Sequence, residues 1–245
     1  MRNLSLPPRI ERQIEVFILG LSNIFKESLL SVVLYGSAAA VSQLQERFNP
    51  SYSNLNILVL LKSTAPLELK KATKIVNRFK NLTPLFLTEE YISSSTDVFP
   101  IEFLDMQENY ILLYGKDFLK DMRVDLKNLR FQCEHELKAK LLSLKQAYLG
   151  LNKHPTLLKE SLIRLFTATL HILRNVLRLK GLQPAYQKEA LLKELHLNLG
   201  ISFGHWETIL SAKSKKATID KTGIEDLFII FTEDLERIIR IVDAL

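Results

Sequence analysis

The sequence predicts an α+β protein in which a mixed sheet with helices is followed by an all-α helical bundle. Two segments carry the sheet prediction: Leu30–Tyr35 is rich in β-branched residues, and Leu55–Leu61 is almost continuously apolar, as in a strand buried on both faces. From about Asp125 the long segments have apolar residues at helical spacing, and few β-branched runs occur. We therefore expect an α/β domain over residues 1–122 and a helical bundle over residues 123–245.

Helices and strands alternate in the predicted first domain. Pro7-Pro8 indicate a helix start, since proline is tolerated in a first turn, and apolar residues follow at helical spacing as far as Ile24. The remaining pattern predicts helices over Ser37–Arg47 and Leu67–Phe79 and strands over Leu85–Thr88 and Pro100–Met106. Together with the two segments above, this gives a sheet of at least four strands.

The second domain is predicted to consist of helices that glycines and a proline separate. The predicted helices are Phe131–Leu149, Thr156–Leu179, Gln187–Leu195, Trp206–Ala212 and Ile224–Ala244.

Composition indicates a folded protein of an ordinary kind. The chain has 245 residues, of which 47% are hydrophobic and 24% charged, which is enough for one large or two small domains. Charged residues interrupt every long apolar run before the roughly 20 residues that span a bilayer, and no signal peptide is recognisable. The single cysteine, Cys133, cannot form an internal disulfide, so we expect a cytoplasmic protein without a membrane partner.

The net charge of +6 is spread along the chain, with its densest groups near residues 70–80 and 213–216. Such groups are typical of solvated helix faces, and an anion-binding surface is the alternative. The histidines have no paired spacing, so no metal site is predicted from them. Whether the chain contacts nucleic acid is left open by this pattern.

One motif stands out in the first domain: Val33-Leu34-Tyr35 runs into Gly36-Ser37, and a polar pair, Asn54 and Asn56, begins the next strand. This layout resembles the nucleotidyltransferase fold of the polymerase-β superfamily, including aminoglycoside and minimal nucleotidyltransferases. The family pattern places Asp-x-Asp or Asp-x-Glu after the Gly-Ser turn, so both acids are amides here. The spacing is also longer than in the family, which makes Gln43–Tyr52 an insertion. The bundle resembles the one that follows the core in aminoglycoside adenylyltransferases.

The resemblance implies a fold whose usual chemistry has lost its residues. In active members the two acids hold divalent cations that bridge a nucleoside triphosphate, and a third acid on a later strand completes the cage. Asparagine is neutral and cannot act as a general base, so Mg²⁺ and a triphosphate are expected as cofactors only in an active protein. Glu102 best matches the third acid and is the weak catalytic candidate, with Asp105 as the lesser one. An ion pair between Glu102 and a neighbouring cation is the alternative.

Gly36, Ser37, Asn54 and Asn56 are the candidate nucleotide-binding residues. In the family the glycine lets the backbone approach the phosphates, while the serine and the helix amides hold them. Glycine at a turn and serine at a helix start are also ordinary structural choices.

A polar stripe on the predicted helix Thr156–Leu179 contains Arg164, Thr167, His171, Arg174 and Arg178. A solvated face is one interpretation of this stripe, and the lining of a cleft beside Gly36 and Ser37 is another. Arg164 and His171 also fit the short Arg-x₄₋₆-His pattern of HEPN ribonucleases.

Three functions follow from these patterns. The first is a catalytically degenerate nucleotidyltransferase-fold protein that retains nucleotide or phosphate binding or acts through a protein partner. The second is an active nucleotidyltransferase that transfers a nucleoside monophosphate to a small molecule or protein. The third is a HEPN-like component linked to RNA or to a toxin–antitoxin pair.

Overall fold

The structure is a computed structural model that describes residues 6–43, 55–214, 219 and 221–245. The chain divides into two compact units, residues 1–124 and residues 125–245, which are described in turn. Asn54 and most of the predicted insertion lie outside the described residues.

The first unit contains a four-stranded sheet with helices on both faces. Its elements are α1 (Pro8–Phe25), β1 (Leu29–Tyr35), α2 (Ser37–Gln43), β2 (Leu55–Leu61), α3 (Pro66–Arg78), β3 (Leu82–Leu87), α4 (Glu89–Ser95), α5 (Pro100–Glu108) and β4 (Tyr110–Gly115). The strand order is β3-β2-β1-β4, with β1 antiparallel to both neighbours and β2 parallel to β3. The predicted mixed sheet is therefore confirmed.

The predicted strand Pro100–Met106 is wrong, because this segment forms helix α5. Pro100 occupies the first helical turn, where its missing N–H costs nothing, and Ile101, Phe103 and Met106 are the buried apolar side chains. Over so few residues, the alternation of apolar and polar side chains fits a strand as well as a helix. The fourth strand is instead β4, which the sequence reading left unassigned.

The sheet is buried on both faces, which explains the continuous apolar runs of β1 and β2. On one face the side chains of β1 and β2 pack against α1 and α3; this cluster includes Ile14, Phe17, Leu21, Val32, Leu34, Ile57, Val59 and Ala72. On the other face Val33, Leu58 and Leu60 pack against α4, α5 and the segment after β4, through Ile92, Phe103, Met106 and Leu119. β3 lies at the edge of the sheet, where Pro84 leaves no inner ladder bond unmade.

The second unit is helical throughout its described residues. Its elements are α6 (Leu126–Leu151), α7 (Pro155–Leu179), α8 (Lys188–Leu199), α9 (Phe203–Lys213) and α10 (Lys221–Asp243). The rings of Phe166, Trp206 and Phe231 form its aromatic centre, with edge-to-face centroid distances of 4.9 to 5.7 Å. The predicted helical bundle is therefore confirmed, with each helix within a few residues of its expected bounds.

A buried carboxylate joins α10 to the start of α9. Asp234 accepts hydrogen bonds from the Trp206 indole and the Ser202 backbone N–H, each at 2.8 Å, and pairs with Arg237. Because each contact satisfies a buried or partly buried donor, this acid stabilises the bundle. In the described part of the chain, no helix has both the length and the apolar character required to cross a bilayer.

Candidate functional site

Gly36 turns the chain from β1 into α2. Its φ is +75°, a conformation that glycine adopts without the strain a side chain would bring. The Gly36 N–H donates to the Asn109 carbonyl at 2.9 Å, and the Gly36 carbonyl accepts from the Ala40 N–H at 3.0 Å. Ser37 follows as the first residue of α2 and is half-buried.

Asn56 lies directly against this turn. It is the cross-strand partner of Tyr35, the last residue of β1. A Cβ atom placed on Gly36 would lie 3.2 Å from the Asn56 side-chain nitrogen, so the amide fills the space that a side chain at Gly36 would take. The structure therefore brings together Gly36, Ser37 and Asn56, three of the four candidate binding residues; Asn54 lies outside the described residues.

A single register row crosses the whole sheet at this end. Thr83 of β3 pairs with Asn56, Asn56 with Tyr35, and Tyr35 with Tyr110 of β4. Cross-strand partners point to the same face of a sheet, so these four side chains form one line, which we call the mouth row. The sequence reading missed Thr83, Tyr35 and Tyr110, because their alignment depends on the strand order.

The mouth row contains hydroxyl and amide groups and no carboxylate. The four strands, read as LLSVVLY, LNILVLL, LTPLFL and YILLYG, contain neither Asp nor Glu. Among the described residues, no group of three or more His, Cys, Asp or Glu side chains could hold a metal ion. The third acid of the family pattern therefore has no counterpart on either strand that follows β2.

The two tyrosines of the mouth row are held in their neutral form. Burial raises the pKa of Tyr35 above its ordinary value. Burial, followed by the hydrogen bond and charge of Asp117, raises the pKa of Tyr110 to about 12. The Tyr110 hydroxyl donates to the Asp117 carboxylate, whose oxygens lie 2.9 Å away. Because one Asp117 oxygen also accepts from the Lys120 N–H at 3.2 Å, this carboxylate serves as an anchor for Tyr110.

Glu102 does not belong to the mouth row. It lies in the first turn of α5 and is exposed, whereas Phe103 and Met106 of the same helix pack on the sheet. Asp105 is half-buried on the same helix. The expectation that Glu102 projects from a strand is wrong, and its catalytic role stays a prediction.

The polar stripe of α7 lies in the second unit and divides into two parts. The Arg174 guanidinium stacks on the Tyr186 ring at 4.8 Å and donates to the Tyr186 carbonyl at 2.7 Å, and Arg178 donates to the Asn175 side chain. Arg164 and His171 are exposed. Arg174 and Arg178 therefore have contacts within their own unit, and the role of the stripe as a cleft lining stays a prediction.

Comparisons with known proteins agree with this architecture. No family model matches the chain, and no curated protein matches it. Among solved structures, the chain is similar to spectinomycin adenyltransferase AAD(9) from Enterococcus faecialis, solved with ATP and spectinomycin; the TM-score is 0.57 at 12% sequence identity, over 92% of this chain and 99% of that one. This chain has the nucleotidyltransferase fold.

The nucleotidyltransferase fold accounts for the arrangement around Gly36. The resemblance found in the sequence rests on the Gly-Ser turn and on the polar residues that begin the next strand, and the structure places Asn56 against that turn. Because 92% of the chain is covered, the structural similarity includes most of both units. At 12% identity it concerns the fold alone.

Proposed function

We propose that this chain is a catalytically degenerate nucleotidyltransferase-fold protein that binds the phosphate groups of a nucleotide, or of a similar anion, without a divalent metal ion. The absence of a carboxylate from the four described strands, with Asn56 against Gly36, carries this proposal. AAD(9) was solved with ATP, and the shared fold makes a nucleotide the first ligand to test.

Charge decides against two-metal chemistry at the mouth row. Mg²⁺ is a hard ion held by one or two carboxylates together with substrate phosphates. Two opposite unit charges about 4 Å apart gain roughly 4 kcal/mol in a partly screened site, and a divalent ion gains about twice that from each carboxylate. Asn56, Thr83 and the two neutral tyrosines supply none of this attraction. Asparagine also cannot take the proton of an attacking hydroxyl.

The same exchange favours direct contact with an anion. A carboxylate repels a phosphate unless a cation lies between them, whereas an asparagine amide has two N–H donors to offer. The side-chain nitrogen of Asn56 lies beside Gly36, where no side chain blocks the approach of a ligand to the backbone. The Ser37 hydroxyl is the next donor along the chain. These groups bind phosphate by hydrogen bonds and need no metal ion.

Calorimetric titration of ATP in EDTA tests this site. We expect wild-type protein to bind ATP, and Asn56→Asp to weaken binding by at least about tenfold, because a charged acceptor replaces a donor. Asn77→Asp makes the same exchange on the exposed face of α3 and serves as the matched control, with unchanged affinity expected. Absence of ATP binding by the wild type, or equal affinities for wild type and Asn56→Asp, would contradict the proposal.

A further inference from the structure

A second group of cations gathers in the helical unit, at residues that the mouth row does not involve. Lys213, the last residue of α9, donates from its ammonium to the Thr167 hydroxyl oxygen at 3.0 Å. The side chain of Lys188, the first residue of α8, lies within hydrogen-bonding contact of Lys213. We call Lys188 and Lys213 the lysine pair.

The lysine pair has no acidic partner. Within the described residues, no carboxylate forms an ion pair with Lys188, Lys213 or Arg164. Other lysines of the same unit are paired, as when Lys138 contacts both Glu134 and Asp243. Burial lowers the pKa of Lys213, and the positive charge of Lys188 lowers it further. Two cations that touch each other without an acid repel, so an anion placed between them is attracted by both.

Thr167 holds one member of the lysine pair in position. Its hydroxyl donates to the Ile163 carbonyl at 2.8 Å, which leaves its lone pairs to accept from Lys213. A lysine side chain otherwise loses much rotational freedom when it binds a ligand, and this contact removes part of that cost in advance. Thr167 is therefore a positioning residue.

Further positive charge surrounds the pair. Arg164 and His171 lie one turn to either side of Thr167 on the same stripe of α7, and both are exposed. Lys188 also stands at the N-terminus of the 12-residue helix α8, where the Gln187 side chain makes no capping bond. The first amides of a helix present partial positive charge, which adds to that of the lysines.

We propose that Lys188 and Lys213, with Lys213 positioned by Thr167, form a binding site for a small phosphate-bearing anion, with Arg164 and His171 as flanking donors. Lysine ammonium groups bind phosphate oxygens as compact point charges. A nucleic acid is the less suitable ligand, because single strands need aromatic rings for stacking and the ring of Tyr186 is covered by Arg174. The site consists of second-unit residues only, so it is independent of the function proposed for Gly36 and Asn56.

Calorimetric titration of the full chain with inorganic pyrophosphate at low ionic strength tests the site. We expect the double substitution Lys188→Gln and Lys213→Gln to weaken binding by about tenfold or more. Lys153→Gln with Lys193→Gln removes two exposed lysines from the same unit and should leave the affinity unchanged. Absence of pyrophosphate binding by the wild type, or equal loss in both double variants, would overturn the proposal.

Two further variants separate this site from other sources of binding. Thr167→Val keeps every charge and should weaken pyrophosphate binding less than the double lysine substitution does. Asn56→Asp should leave it intact; loss in Asn56→Asp with retention in the double lysine variant would assign the binding to the mouth row and overturn this site. Tighter binding of a short single-stranded RNA, lost with the same lysines, would overturn the choice of a small anion. Circular dichroism of each variant confirms that it is folded.

Discussion

At the scale of single residues, the exchange of a carboxylate for an amide changes what the turn after β1 attracts. Asn56 lies 3.2 Å from the space above Gly36, close enough for its N–H groups to reach a ligand seated on the turn. With Asp at this position, such a ligand would need a metal ion to screen the charge, whereas with Asn it would not. One side chain therefore decides between metal-dependent and metal-independent binding on the same backbone.

Tyr110 gives a prediction at the same scale. Burial and the Asp117 carboxylate raise its pKa from 10.0 to about 12, so the folded protein holds the phenol proton more tightly than the unfolded chain. This stabilisation is complete below about pH 10 and is lost as the pH rises towards 12. We expect Tyr110→Phe to reduce the fall in unfolding free energy over this interval, as measured by urea denaturation at a series of pH values.

Tyr114→Phe, an exposed tyrosine on the same strand, is the control for this measurement. The tyrosinate absorbance of each variant, recorded on the same samples, shows which phenol ionises last. An identical pH dependence in wild type and Tyr110→Phe would contradict the role given to Asp117.

At the scale of elements, the pairing of β4 with β1 depends on a close approach of two backbones. Gly115 ends β4 with a φ of +78°, and a Cβ atom there would lie 2.0 Å from the Leu30 carbonyl oxygen. Neither backbone can yield without loss of the ladder between the strands. We expect Gly115→Ala to destabilise the protein by more than about 1 kcal/mol, measured by thermal unfolding.

Gly150 of α6 is the matched control, because nothing lies within 4 Å of a Cβ atom added there. Gly150→Ala should be neutral or stabilise the helix by up to about 1 kcal/mol. Equal melting temperatures for Gly115→Ala and the wild type would show that β4 does not pack as closely as described.

The same elements show which features the sequence can predict. β1 and β2 are recognisable because burial on both faces imposes long apolar runs, and the bundle helices because each one repeats its pattern over several turns. The segment Pro100–Met106 is too short to distinguish the two periods, and its assignment as a strand hid β4 just beyond it. The contact between Gly36 and Asn56 follows from the motif itself. The mouth row does not, because Thr83 and Tyr110 join it only through a strand order that local sequence does not encode.

At the scale of the whole molecule, the fold persists although little of the sequence does. The chain shares 12% identity with AAD(9) over 92% of its length, and the similarity covers most of both units. A fold can survive such divergence because its core needs apolar side chains of suitable volume at the right period, and many sequences meet that demand. Chemistry depends on particular side chains, so the fold alone does not determine the function.

The dependence of ATP affinity on Mg²⁺ tests the central claim most directly. The dissociation constant of ATP is measured by calorimetry with the wild-type chain, once in EDTA and once in excess Mg²⁺. A protein whose described strands contain no carboxylate should bind ATP no more tightly with Mg²⁺ than without it. A tenfold or greater tightening by Mg²⁺, about 1.4 kcal/mol, would show that a metal cage exists and would contradict the account.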